Sequence, residues 1–261
     1  MSEIWTAIQN NFIVFIMVLA RVSGIFTFNP IFARNNVPGT IKAGASMLLA
    51  VVMTAAGGMS YTMPSGLFPF VFDMAKELLI GAVLGLFVNL MLQVFSLAGE
   101  VTDMQLGLSM AKSYDPTYGG QTGTTSSYYS YWFILYFFAV GGHLSYIKLF
   151  AVSYETIPIG YAGFNINIAY IMVNYFETVM TLGLKLAMPV VAASLITEFC
   201  IGVLMKAVPS IHVFVLNIQL KMLVGFVVLA ASCGVVSEFM DKVMDILFTN
   251  LNGIIGQFTL T

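Results

Sequence analysis

Charged side chains are scarce in this chain. Ten Lys and Arg and twelve Asp and Glu make up 8% of 261 residues, where a soluble domain carries about 25%. That leaves too little polar surface to wrap a soluble globule of this size. Disorder is excluded too, because it needs low hydrophobicity and high charge. The net charge is −2, the pI is near 5.6, and no Lys/Arg cluster exists, so no nucleic-acid footprint is present. Two cysteines cannot build a disulfide scaffold. Cys200 and Cys233 sit in apolar helical sequence and are expected to be buried, reduced thiols.

Catalytic patterns are missing as well. The chain has no G-x-S-x-G, no H-E-x-x-H, no P-loop and no G-x-G-x-x-G. No base stands near the Ser and Thr residues of 113–127. His143 and His212 are far apart, with no Cys or carboxylate at ligand spacing, so neither a metal nor any other cofactor is expected. The reading is of a non-enzyme. No Lys or Arg precedes the first apolar run, and no small-x-small cleavage site follows it. This predicts a retained first helix, not a signal peptide.

What is present is apolar sequence. Hydrophobic residues make up 59%, and the mean hydropathy is +0.92. Charge-free runs cover Ile4 to Ala20, Ala43 to Gly57, Leu78 to Gly99 and Tyr128 to Gly142, and Ile166 to Phe248 is nearly continuously apolar. A spanning helix needs roughly 20 residues, so five to seven helical segments fit an all-α integral membrane protein. Breakers divide them: Asn29-Pro30 to Pro38-Gly39, Gly57-Gly58 to Pro69, Ser113 to Ser127, Pro158 to Gly163, and a tight turn at Lys206 to Ser210.

Two features depart from a simple lipid-facing bundle. Asn165 to Ala207 reads as one helix of roughly 60 Å, about twice a hydrocarbon core. Charges also sit inside these helical patterns: Glu177, Lys185, Glu198, Lys206 and Lys221. Glu177/Lys185 and Glu198/Lys206 are each eight apart, close to one helix face. Charge at membrane depth is costly and faces protein or water. These residues, with Arg21, are candidates for buried charge or inter-subunit contacts. Asp73, Lys76 and Glu77 share a face at i, i+3 and i+4, either as a self-neutralised cluster or as an inter-subunit salt bridge. Arg34 and Lys42 are too few to set an orientation.

Small residues mark candidate packing sites at Gly81 and Gly85, and at Ala230 and Gly234. They let helices approach closely, within the chain or between chains. The polar insertion from Leu106 to Ser127 is unusual in so apolar a chain. It is either a solvent loop or a plug or re-entrant element. Met104 and Met110 flank it, and methionine adapts its shape to what it contacts.

The chain resembles the FliR family of flagellar export-gate proteins and their type III secretion counterparts. The likeness runs over essentially the full length. It begins with Arg21-Val-Ser-Gly24, Asn29-Pro30, Val37-Pro38 and Lys42. It continues with Gly99-Glu100, Met104-Gln105-Leu106-Gly107 and Asp115-Pro116. Gly142-His143-Leu144, Ser153 and Ile157-Pro158 follow. Met188-Pro189, Gly202, Ala207-Val208-Pro209, Val213-Phe214 and Lys221 complete it. The family often carries Gln and Asn after the Ala-x-Pro motif, where this chain has Ser210 and His212.

The resemblance implies a structural channel subunit of long helical hairpins. It would assemble with FliP-type and FliQ-type subunits in the bacterial inner membrane, at the flagellar basal body. FlhB-type and FlhA-type subunits, unfolded flagellar proteins and membrane lipid are the implied partners. Residues 1–165 would be a FliP-like part and 166–250 a FliQ-like hairpin. Residues 106–127 would be a plug-like loop holding Met104, Gln105, Gly107, Met110, Tyr114, Asp115, Pro116, Gly119, Gly120 and Gly123 at or beside it. The competing readings are an independent secondary transporter using Glu177, Lys185, Glu198 and Lys221, and a virulence secretion gate.

Overall fold

The computed structural model describes residues 2–29, 38–56, 59–109, 123–160, 167–207 and 213–258, with side chains throughout except at 2–10 and 213–215. Among the described residues every regular element is a helix. In chain order these are α1 (Ser2–Phe28), α2 (Gly39–Ala55), α3 (Leu67–Leu106), α4 (Thr124–Ala139), α5 (Gly142–Thr156), α6 (Asn167–Ala207), α7 (Val213–Ala231) and α8 (Cys233–Gln257). Three are long and apolar enough to cross a membrane: α1 over Asn11–Phe28, α3 and α6. The pairs α4/α5 and α7/α8, bent by 70° and 61°, bring the number to as many as five spans. The all-α membrane class therefore holds.

Several boundaries differ from the sequence reading. The charge-free run Ile4 to Ala20 is shorter than the first helix, because α1 continues through Arg21 to Phe28 with the guanidinium paired internally. Pro69 lies in the first turn of α3, where its missing N–H has no helical acceptor to lose. The polar insertion is shorter than 113–127, since α4 already begins at Thr124. The expected long helix is present as α6, which has 41 residues and runs on through Pro189.

The chain forms two compact units, each discontinuous in sequence. The first gathers residues 1–90, 141–175 and 246–261, and the second 91–140 and 176–245. In the first unit, α1 and the first half of α3 meet at glycines. A Cβ on Gly24 would lie 2.3 Å from the Leu78 carbonyl oxygen, one on Gly81 2.0 Å from that of Arg21, and one on Gly85 2.7 Å from that of Ile25. Real Cβ atoms do not come so close, so only glycine permits this crossing. The Gly81/Gly85 pair thus packs within the chain. Tyr175 stacks on Phe87 at 4.4 Å and donates its hydroxyl to the Phe87 carbonyl at 3.1 Å.

In the second unit, Phe95 stacks on Phe133 at 4.4 Å. Gly183 of α6 seats against Val94 and Leu97 of α3, and Gly225 of α7 against the Leu106 side chain. The outer faces are apolar. Phe199 is 74% exposed on α6 and Leu223 62% on α7. Such surface calls for lipid or protein against it. For the same reason Cys200 and Cys233 are exposed and not buried: the helix faces that carry them have no cover among the described residues. Gly234 has no atom within 4 Å of a Cβ position, and Ala230 is exposed. Among the described residues that pair meets no helix of this chain closely; it flanks the bend between α7 and α8.

Candidate functional site

The clearest constructed feature of the second unit is the base from which residues 110–122 leave and to which they return. The outgoing end is the C-terminus of α3. Gly107 has φ +76°, and its N–H donates to the Met104 carbonyl at 3.3 Å. A left-handed glycine just past the last helical turn is a common helix stop, because it carries no Cβ to clash. Gln105 holds this end against α6, accepting from the Ser194 hydroxyl at 3.0 Å. Leu106 is fully buried, seated over Gly225. Met104 points away and is 71% exposed.

The returning end is the N-terminus of α4. Its N-cap is Gly123, which has no side chain to cap with. The first N–H groups of a helix have no partner inside it. Here α3 supplies them. Glu100 accepts from the Gly123 N–H at 2.9 Å, and both carboxylate oxygens of Asp103 accept from the Thr125 N–H, at 3.2 and 3.3 Å. Asp103 is fully buried. One helical turn earlier, the Ser96 and Ser126 hydroxyls share a hydrogen bond at 3.2 Å. A Cβ on Gly99 would lie 2.1 Å from the Ser126 Cα. Ser96, Gly99, Glu100 and Asp103 follow an i, i+3, i+4, i+7 spacing, so they form one face of α3. That face is a seat for the first turn of α4. The negative carboxylates also meet the positive end of the α4 dipole. Beside this seat is an apolar cavity of about 400 Å³, lined by Leu108, Thr125, Tyr128, Phe226, Ala230 and Cys233 among others.

The sequence-predicted loop residues divide accordingly. Met104, Gln105, Gly107 and Gly123 build or flank the base. Met110, Tyr114, Asp115, Pro116, Gly119 and Gly120, like His212, lie outside the described residues. Glu100 entered the sequence reading only within the Gly99-Glu100 pair that carries the resemblance, not as a site candidate, and Asp103 did not enter it. Their signal was a pair of carboxylates one turn apart, close to the end of a long apolar helix.

The charged candidates are placed more definitely. In the first unit, Arg21 donates from Nε to Glu77 at 2.6 Å, with both side chains at 0% exposure. Its other nitrogens donate to the Ser153 and Ile157 carbonyls at 3.0 and 3.1 Å, and its guanidinium lies 4.2 Å from the Tyr154 ring centroid. The other Glu77 oxygen accepts from the Gly160 N–H at 2.9 Å. The Asp73/Lys76/Glu77 cluster is therefore split. Asp73 pairs with Lys76 at 2.8 Å and accepts from the Tyr61 hydroxyl at 2.8 Å, whereas Glu77 belongs to Arg21. Burial, and Asp73 accepting its proton, push the Tyr61 hydroxyl above its ordinary pKa. In the second unit, Glu198 pairs with Lys221 across α6 and α7, and not with Lys206 eight residues along its own helix. A hairpin neighbour is closer than a residue two turns away. Lys206, Glu177 and Lys185 are exposed on α6.

Among the described residues no group of three or more His, Cys, Asp or Glu converges as a metal site.

The family described as bacterial export proteins, family 1, matches residues 12–247. The chain is 26% identical to the flagellar biosynthetic protein FliR of Bacillus subtilis (strain 168), over 93% of this chain and 94% of the relative. It is 26% identical to that of Escherichia coli (strain K12), over 99% and 98%, and to that of Pectobacterium carotovorum over 94% of each. With a match across nearly its whole length, and long apolar helices to agree with it, the chain belongs to the bacterial export proteins, family 1.

Proposed function

We propose that this chain is a structural subunit of the flagellar type III protein export gate, helping to form and close the pore through which unfolded flagellar proteins leave the cell. The observation that carries this is the match of nearly the whole chain to flagellar biosynthetic proteins, together with its match to an export family over residues 12–247. Two physical features support it. The exposed faces of α6 and α7 are apolar over most of their length. Glu177 and Lys185 stand on α6 without an ion pair among the described residues, a placement that calls for neighbouring subunits more than for lipid.

The partners that fit are FliP-type and FliQ-type subunits, with FlhB-type and FlhA-type subunits around them, in the inner membrane at the flagellar basal body. Residues 166–250 would serve as the FliQ-like hairpin and the earlier chain as the FliP-like part, although neither compact unit follows that boundary. Residues 106–127 would serve as the closing element, held at a fixed base by α3 and α4. Met104 would contribute an adaptable apolar surface there.

Co-purification tests this reading. The tagged chain, co-expressed with its FliP- and FliQ-type neighbours in mild detergent, should appear in one stable particle with them. A stable, monodisperse particle of this chain alone would overturn it. Deleting Gly119 to Thr122 should then increase ion leakage through the assembled gate, and unchanged leakage would remove the closing role from that segment.

A further inference from the structure

We propose that the groove between α1, α2 and α3 holds an acyl chain of an anionic phospholipid, with Lys42 at the lipid phosphate.

The groove belongs to the first unit and has a volume of about 660 Å³, the size of ligand pockets in general. Its walls are hydrocarbon: Ile16 and Leu19 of α1, Ala43 and Met47 of α2, Met74 and Leu78 of α3. Two hydroxyl side chains are in the lining, and both spend their proton on their own helix. Ser23 donates to the Ala20 carbonyl at 2.8 Å, and Ser46 to that of Ala43 at 2.9 Å. The groove therefore has no spare donor for a polar solute, and what it takes is apolar. The two methionines suit an occupant whose shape varies, as that of an acyl chain does.

Position sets the kind of hydrocarbon. The apolar stretch of α1 ends at Phe28. Ser23 stands about 8 Å inside that end and Ile16 about 18 Å, at the rise of a helix. The groove thus runs from near the edge of a hydrocarbon core toward its middle, which is the path of a lipid tail. Residues 29–38 join α1 to α2, and the two helices pack together. The first turn of α2 returns beside that edge.

Lys42 lies in this turn. It immediately precedes Ala43 and stands one turn before Ser46, both in the groove wall. Lys42 is half-buried and makes no ion pair among the described residues. The carboxylates of α3 in this unit are committed already. Asp73 serves Lys76 and Tyr61, and Glu77 serves Arg21 and the Gly160 N–H. A phospholipid phosphate supplies the anion, at the depth where a long lysine stem places its ammonium. An apolar helix laid in the groove would cover the same walls but bring no anion to Lys42.

The test places a photoreactive benzophenone amino acid at Met47, which is in the groove wall and open to the outside. The tagged chain, with the FliP- and FliQ-type subunits that co-purify with it, is reconstituted into vesicles of equal phosphatidylglycerol and phosphatidylcholine and illuminated. Mass spectrometry reads what is attached. Phospholipid adducts should dominate, with phosphatidylglycerol favoured about fivefold, the preference that one lysine at a membrane surface gives. Lys42→Gln should bring that ratio to about one, with the lipid adducts still present. Should the chain fail to insert with the probe at Met47, Met74 takes it. Adducts to another subunit in place of lipid would overturn the proposal. So would equal capture of the two lipids by the parent, or an unchanged preference in Lys42→Gln. None of these readings needs the partner subunits to co-purify, so they stand apart from the export-gate assignment.

Discussion

Arg21 and Glu77, 56 positions apart, form an ion pair at 2.6 Å with neither side chain exposed. All three kinds of guanidinium nitrogen are used, one on Glu77 and two on the carbonyls of Ser153 and Ile157. Both carboxylate oxygens are used too, the second by the Gly160 N–H. The pair joins α1, α3 and the end of α5 in one unit. It also explains how a charge can stand in the middle of the first span.

Removing one partner leaves the other buried and unpaired, which costs about 3–5 kcal/mol. We expect Glu77→Ala and Arg21→Met each to lower stability by that order in detergent unfolding. The double variant should lose less than the sum of the two. The charge swap Arg21→Glu with Glu77→Arg should fail, because a carboxylate at position 21 has no N–H to give to the two carbonyls. A swap as stable as the parent would contradict this account.

Glu198 and Lys221 predict the opposite. Their side chains are 44% and 13% exposed, and among the described residues neither makes a second ion pair. Double-mutant cycles on such pairs return about 0.2–1 kcal/mol. The swap Glu198→Lys with Lys221→Glu should therefore retain the thermal stability of the parent chain. Failure of the swap, with each single variant tolerated, would show that another subunit reads the two charges separately.

The α1–α3 crossing should be intolerant of a single methyl group. Gly81→Ala would place a Cβ 2.0 Å from a backbone oxygen, which side-chain motion cannot relieve. Overpacking of this kind costs about 1–3 kcal/mol. Gly234→Ala meets nothing within 4 Å and, in a helix, should be neutral or slightly stabilising. Comparing their melting temperatures checks the contrast; equal effects would refute the crossing.

Tyr61 lies in the connection before α3, and its hydroxyl pKa is raised by burial and by Asp73. A raised folded-state value means its contribution is fully present below the unfolded value of about 10 and is lost as pH rises through the folded one. The parent and Tyr61→Phe should hence run parallel from neutral pH to about pH 10. Above that the parent should lose stability faster. Parallel curves throughout the alkaline range would show that the hydroxyl is not held by Asp73. Gly160, at φ +80° and with Tyr61 within 2.7 Å of a Cβ position, should be sensitive to Ala for both reasons.

The sequence alone determined the class of this protein. Scarce charge, high hydropathy and charge-free runs are sums over the chain, and they set a membrane environment whatever the helices touch. Helix lengths were legible too, because α6 is bounded by local breakers. Gly81 and Gly85 announced close packing by their spacing, but not that the partner would be α1. Partner choice was decided only by tertiary structure. Asp73, Lys76 and Glu77 share a face in the sequence, yet Glu77 turns to Arg21, because the glycine crossing brings that one buried cation within reach. Glu198 takes Lys221 across the hairpin for the same reason of proximity. Glu100 and Asp103 read as two more charges in α3 until the start of α4 was set against them. Composition and periodicity are properties of neighbours in the chain; a hydrogen bond is a property of neighbours in space, and here folding chose those.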